Sequence, residues 1–120
     1  MAAFKKFEEI KAWLKARAAT KRVYEVTSDG RFAKDFGLRD QIRRYAVSVM
    51  ANIAEGQGRF SNKEFANFLN MAHGSVAETQ SHLFVALDLK YLAEAAFSEL
   101  YDLFDEIARM TMSLMKHLRG

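Results

Sequence analysis

The sequence predicts an all-α protein, an antiparallel up-down-up-down four-helix bundle, and three observations predict it. The 120 residues contain no proline, the residue that helices tolerate least. Four segments repeat apolar residues at the spacing of three and four that one helix face requires. The connections between these segments are short, which places consecutive helices antiparallel. A chain of this length is expected to form a single domain, residues 1–120.

The first predicted helix runs from Phe7 to about Thr27, with Phe7, Ile10, Leu14 and Ala18 on its buried face. It ends at the turn cluster of residues 28–30. The second runs over 38–55 and is followed by Gly56, which we expect in the left-handed conformation that often ends a helix.

The third predicted helix begins at the capping box Ser61-Asn62-Lys63-Glu64 and continues to about Leu89. Gly74 lies inside it, where a glycine disfavours a helix, so we expect close backbone packing there. The fourth covers residues 95–118, with apolar residues again three and four apart.

The second helix differs from the others because it is apolar nearly all round. Its core side carries Leu38, Ile42, Tyr45, Ala46, Val49 and Ile53. The opposite side carries Val47, Ala51 and Ala54 where an outer bundle helix would show charged residues. A helix with this profile is covered on both sides, and a second copy of the chain is the simplest cover. We therefore predict a homo-oligomer whose interface contains Val47, Ala51 and Ala54; a solvated groove is the alternative.

A polar stripe separates these two sides. It consists of Gln41, Ser48, Asn52 and Glu55, and the third helix offers Ser75 and Glu78 as partners. Buried polar groups need hydrogen bonds. We interpret the stripe as an interhelical hydrogen-bond network; a ligand or catalytic site is the alternative.

Positive charge is concentrated in the first half of the chain. Residues 1–60 carry thirteen Lys and Arg against seven Asp and Glu, whereas residues 61–120 carry five against eight. This asymmetry indicates either two surfaces that attract each other or a side that faces nucleic acid. The candidate nucleic-acid-binding residues are Lys11, Lys15, Arg22, Arg39, Arg43, Arg44 and Arg59, with Trp13, Tyr24 or Phe60 available for stacking on bases.

No catalytic motif is found in the sequence. There is no cysteine, and His73, His82 and His117 are too scattered for a metal site. Phosphate-binding loops and nucleophile elbows are missing as well. We expect no enzymatic activity, no cofactor and no metal. The longest nearly uncharged run, residues 45–54, is too short to span a membrane, so we expect a cytoplasmic protein without a membrane partner.

Residues 37–56, GLRDQIRRYAVSVMANIAEG, form the core of a longer pattern. It continues through Gly58-Arg59, Ser61, Lys63-Glu64-Phe65, Phe68-Leu69, Ala72, Gly74-Ser75 and Glu78. This pattern resembles the 23S rRNA intervening-sequence protein family over essentially the whole chain. The resemblance implies a small bacterial four-helix bundle that assembles as a homopentamer. The family includes the accessory variability determinant of diversity-generating retroelements, a basic pentameric barrel that binds nucleic acid and a reverse transcriptase.

Taken together, these features favour a non-enzymatic, homo-oligomeric binding or scaffolding module whose main partner is itself. The alternative is a nucleic-acid-binding accessory protein that binds RNA or DNA with basic residues repeated around a ring.

Overall fold

The computed structural model describes residues 4–120; residues 1–3 of the predicted domain lie outside the described part. Residues 4–120 are all-α and contain no strand. The helices are a 3-10 turn at Phe7–Glu9, α1 (Lys11–Val26), α2 (Gly30–Lys34), α3 (Phe36–Gln57), α4 (Asn62–Asp88) and α5 (Glu94–Arg119).

The four long helices share one core. They pack in four neighbouring pairs, α1 with α3, α3 with α4, α4 with α5, and α5 with α1, in a body 46 Å long and 19 Å across. Burial of their apolar faces is the main stabilising term. The largest fully buried side chains of these helices are Phe65, Phe104, Ile42, Ile53, Leu69, Leu83, Leu100 and Ile107.

Two helices begin where a side chain caps the backbone. Ser61 is extended and its Oγ accepts a hydrogen bond from the Glu64 N–H at 3.3 Å, so the serine half of the predicted capping box is confirmed. Asp35 does the same at the start of α3, where Oδ1 accepts from the Leu38 N–H at 3.1 Å. Such caps satisfy N–H groups that the helix leaves without partners.

The buried face predicted for the first helix is wrong in part. Ile10 is buried, but Leu14 is 45% exposed and Ala18 is exposed. The cause is a break at Ile10, whose extended backbone separates the 3-10 turn from α1 and shifts the phase of the helix behind it. The face that α1 buries consists of small residues and one valine, namely Ala12, Ala16, Ala19, Thr20 and Val23.

Small residues on α1 permit a close approach to α3. The Thr20 hydroxyl lies 2.8 Å from the Ala16 carbonyl and 3.2 Å from the Ala46 carbonyl of the other helix, so it reaches both backbones. Larger side chains at the α1 face would prevent this contact.

The expectations for two glycines are also wrong. Gly56 is a helical residue inside α3, which continues to Gln57, so it does not end the helix in a left-handed conformation. A Cβ atom on Gly56 would lie only 2.7 Å from the Cβ of Phe68, which shows that Gly56 is where α3 and α4 approach closely. Gly74, by contrast, is exposed, and nothing lies within 4 Å of a Cβ built there.

The sequence pattern also missed α2, because five residues are too few to show a helical period. Gly30 begins α2 with φ of +67°, and Phe32 is buried. The ring of Phe32 lies 5.4 Å from that of Tyr91, and the Tyr91 hydroxyl donates to Asp35 Oδ2 at 3.0 Å. These contacts join α2 to the connection between α4 and α5.

Candidate interaction surface

The outer face of α3, defined by Val47, Ala51 and Ala54, is the apolar surface predicted as an interface. In the single chain Val47 is 42% exposed, Ala51 is exposed and Ala54 is half-buried. The opposite side of α3 is completely covered, since Ile42, Ala46, Val49 and Ile53 have no exposed surface. α3 is therefore apolar on two sides, and the other helices of the same chain cover only one of these sides.

Three of the six residues of the predicted hydrogen-bond network are hydrogen-bonded to one another between α3 and α4. The hydroxyls of Ser48 and Ser75 lie 2.9 Å apart. Asn52 Nδ2 donates to the Ser48 carbonyl at 2.9 Å and to its hydroxyl at 3.1 Å. Ser75 is buried, whereas Ser48 and Asn52 are half-buried. We call these three residues the serine–asparagine group.

The other three residues of the predicted network lie outside this group. Gln41, Glu55 and Glu78 are exposed. Glu55 accepts from Arg59 on its own helix at 2.9 Å. The serine–asparagine group therefore joins the two helices at half the predicted positions.

His82 of α4 lies beside Tyr45 of α3, and the sequence pattern gave it no role. Its ring centroid is 5.5 Å from that of Tyr45, and its Nδ1 is buried without a hydrogen-bond partner in the described chain. Burial lowers the pKa of His82, and the nearby charge of Glu78 opposes this effect. The neutral imidazole is therefore favoured in the folded protein.

Four of the seven candidate nucleic-acid-binding residues form ion pairs within the chain. Lys15 lies 3.2 Å from Glu106, and Arg22 lies 3.0 Å from Glu99. The hydrogen bond between Arg22 and Glu99 raises the pKa of the arginine and lowers that of the carboxyl. The remaining two pairs are Arg39 with Asp40 at 2.9 Å and Arg59 with Glu55 at 2.9 Å.

A fifth candidate, Arg43, is held by the end of α1. Its guanidinium donates to the Thr27 hydroxyl at 2.8 Å and to the Thr27 carbonyl at 3.3 Å, and it lies 4.5 Å from the ring centroid of Tyr24. Between residues 4 and 120, neither Lys11 nor Arg44 has an ion-pair partner.

Two surface depressions were not predicted, because their linings come from distant parts of the chain. The larger, about 750 Å³, lies between the start of α1 and the end of α5, and we call it the α1–α5 depression. Its apolar lining consists of Phe4, Ile10, Ala12, Met110 and Leu114. The smaller, about 450 Å³, lies between α4 and α5 and contains His73, Asp105 and Lys116.

Neither a metal centre nor a membrane span is found in the described part of the chain. Residues 4–120 bring together no group of three or more His, Cys, Asp or Glu side chains that could hold a metal ion. None of the described helices is long and apolar enough to cross a membrane.

The fold and these surfaces define an all-α protein whose candidate interaction surface is the outer face of α3. The family model of the 23S rRNA-intervening sequence protein matches residues 8–113. The chain therefore belongs to the 23S rRNA-intervening sequence protein family, as the sequence pattern predicted.

A solved structure has the same fold. It is a protein of unknown function from the S23 ribosomal protein family of Bacteroides thetaiotaomicron, 24% identical to this chain, with a TM-score of 0.81. The similarity covers 88% of this chain and 95% of that one. No curated protein matches the chain.

Proposed function

We propose that this protein is a non-enzymatic, homo-oligomeric binding or scaffolding module of the cytoplasm, and that the outer face of α3 is part of its self-association surface. The main observation in support of self-association is that Val47 and Ala51 are exposed on a helix that is apolar on both sides. Contact with a second copy would remove this surface from water. The family resemblance favours five copies.

We further propose that α1, α3, α4 and α5 form an up-down-up-down antiparallel bundle. Support comes from contacts between neighbouring helices. Residues late in α3 meet residues early in α4, as Gly56 meets Phe68, while the earlier Tyr45 meets the later His82. The same reversal relates α1 to α5, where Lys15 meets Glu106 and Arg22 meets Glu99.

The side chains on the outer face of α3 are small, which supports helix packing rather than a ligand pocket. Alanine at positions 51 and 54 allows another backbone to approach closely. The neighbouring serine–asparagine group satisfies its own polar atoms between α3 and α4, so it supports a role in fixing the register of these helices.

Light scattering coupled to size-exclusion chromatography tests self-association. We expect a mass well above that of one 13.7 kDa chain, with five chains as the expected number. The variant Ala51→Glu should dissociate the assembly, because contact would bury an unpaired carboxylate. Ala95→Glu is the matched control: Ala95 is an exposed alanine in the first turn of α5, where a negative charge is favourable. A native protein with the mass of one chain would refute the proposed function.

A second candidate function is that of a nucleic-acid-binding accessory protein. Two arginine–aromatic pairs favour it. Arg43 lies 4.5 Å from the centroid of Tyr24, and Arg39 lies 4.8 Å from that of Phe36. Both rings are exposed, and such pairs are used to stack on bases. Arg43 is already hydrogen-bonded to Thr27, and Arg39 is already paired with Asp40. These contacts within the chain argue against nucleic-acid binding.

A salt titration distinguishes the two functions. Binding to fluorescently labelled single-stranded RNA and DNA is measured by anisotropy from 50 to 300 mM salt. A nucleic-acid-binding protein should lose affinity steeply as salt rises, because phosphate contacts release counterions. Absence of binding at the lowest salt concentration would eliminate the second function and leave the first.

A further inference from the structure

Phe60, in the turn between α3 and α4, is the most exposed large apolar residue of the described chain, with 90% of its surface in contact with solvent. It also has φ of +58°, in the left-handed region that residues with a Cβ atom rarely adopt. The same conformation would be easier for glycine or asparagine. Position 60 therefore combines a strained backbone with an unburied aromatic ring, and neither feature is compensated by packing within the single chain.

The turn around Phe60 is held firmly. The Gly58 N–H donates to the Ala54 carbonyl at 3.1 Å, and the Arg59 N–H donates to the Gly56 carbonyl at 3.2 Å. On the other side, Ser61 caps α4. The Arg59 guanidinium lies 2.9 Å from Glu55 and 3.7 Å from Glu64, so it connects the end of α3 to the start of α4. Phe60 is thus presented in a fixed position.

The α1–α5 depression, which is partly apolar and of suitable size, lies at the same end of the molecule. The Gln57 side chain donates to the Phe4 carbonyl at 3.2 Å, and Phe4 lines the α1–α5 depression. Its volume of about 750 Å³ is ample for one phenyl ring. The lining carries both signs of charge, since Glu9 and Lys11 both belong to it, so charge does not oppose the approach of exposed Lys63 beside Phe60.

We propose that Phe60 of one copy inserts into the α1–α5 depression of a second copy. This inference rests on the proposed self-association. The outer face of α3 leads along the helix towards the Phe60 turn, so both belong to one contact surface, and the depression belongs to a different one. The contact therefore joins two unlike surfaces. Contacts between unlike surfaces generate a closed ring when the rotation between neighbouring copies closes, and in such a ring each copy both gives and receives one phenyl side chain.

The first test removes the side chain and relieves the backbone. The variant Phe60→Gly should raise the dissociation constant of the assembly at least tenfold, measured by sedimentation velocity over a concentration series. Its far-UV circular dichroism should match that of the native protein. Lys90→Gly is the matched control, because Lys90 is also exposed with positive φ, +62°, but carries no aromatic ring.

The second test uses complementation. Ser113 is exposed and lies on the lining of the depression, so Ser113→Trp should fill the depression while leaving Phe60 intact. At a concentration where each variant alone is monomeric, an equal mixture of Phe60→Gly and Ser113→Trp should form a heterodimer, since one intact contact remains between them. Absence of a heterodimer would overturn the proposal.

The outcomes separate this inference from the function on which it rests. A native protein that is monomeric would overturn both. An assembly that survives Phe60→Gly unchanged would overturn only the insertion of Phe60. The inference would also fail if Phe60→Gly leaves the assembly intact but abolishes binding to anionic phosphatidylglycerol vesicles or to labelled single-stranded RNA. In that case the ring would serve a different partner.

Discussion

At the scale of single residues, two helical glycines have opposite surroundings. Gly56 is buried in α3 against α4, and a Cβ built there would lie 2.7 Å from Phe68 Cβ, 3.0 Å from Phe65 Cδ1 and 3.2 Å from the Phe65 carbonyl oxygen. The last of these is a backbone atom and cannot move aside without shifting α4. Gly74 is exposed, with nothing within 4 Å of its Cβ position.

Alanine substitutions should therefore change stability in opposite directions. We expect Gly56→Ala to lower the free energy of unfolding by about 1–3 kcal/mol, because the cost of overpacking exceeds the gain in helix propensity. Gly74→Ala is the control and should raise it by about 1 kcal/mol, since only the propensity changes. Urea unfolding followed by circular dichroism measures both. Equal effects of the two substitutions would contradict the close approach at Gly56.

His82 makes the stability of the fold depend on pH. Burial lowers its pKa in the folded chain, so the unfolded chain binds more protons near pH 6. The contribution of His82 is fully present above the pKa of an unfolded histidine, about 6.5, and is lost as the pH falls below it. The charge of Glu78 reduces this loss.

We expect the free energy of unfolding to fall between pH 7.5 and pH 5.5, and to fall less in His82→Gln. Urea unfolding at the two pH values checks the difference. His117→Gln is a suitable control, because His117 is exposed near the end of α5. An equal pH dependence in the native protein and His82→Gln would show that burial of His82 has no energetic effect.

At the scale of helices, three arginine side chains donate hydrogen bonds to backbone carbonyls at the C-terminal ends of three helices. Arg43 donates to the Thr27 carbonyl after α1, Arg39 to the Ala33 carbonyl in α2, and Arg31 to the Leu89 carbonyl after α4. The last carbonyls of a helix lack partners and carry partial negative charge, so a guanidinium there is stabilising. Each arginine also lies over an aromatic ring: Tyr24, Phe36 and Tyr91, respectively.

Adjacent arginines on α3 allow this role to be tested. Arg43→Ala should lower the free energy of unfolding by about 1–2 kcal/mol, through loss of the bonds to Thr27 and of the contact with Tyr24. Arg44→Ala, at the next and exposed position, should change it by no more than about 0.5 kcal/mol. Thermal and urea unfolding report the difference. Similar values for both variants would mean that Arg43 does not stabilise the end of α1.

The helices also show which features a sequence pattern can reveal. Ser61 and the apolar period behind it predicted α4, because a cap and a repeat are both local in sequence. The face of α1 was misplaced because the break at Ile10 is a property of one backbone conformation, which shifts the phase of every later residue. The ion pairs of the basic residues could not be predicted from the sequence, for another reason. Partners such as Arg22 and Glu99 are 77 residues apart, so only the packed helices bring them together.

At the scale of the whole molecule, the basic and acidic halves of the chain neutralise each other where α1 meets α5. Lys15 and Arg22 belong to the basic half, and their partners Glu106 and Glu99 belong to the acidic half. The charge asymmetry therefore contributes to the attraction between the first and last helices, and it is weak evidence for a surface that faces nucleic acid. These pairs are partly exposed, so water and salt screen them.

Exchanging the charges of one pair tests this interpretation. Arg22→Glu should lower the melting temperature, because it places two carboxylates side by side at the contact between α1 and α5. Adding Glu99→Arg should recover much of the loss, since the pair is restored with its charges reversed. Both effects should shrink in 1 M NaCl, where the screening length is about 3 Å. The single variant Glu99→Gln is the control, because it removes the attraction without adding repulsion, and its melting temperature should lie between those of the native protein and Arg22→Glu. If Glu99→Arg brings no recovery, the charges do not hold α1 against α5, and the asymmetry between the halves would need another explanation, such as a polyanionic partner.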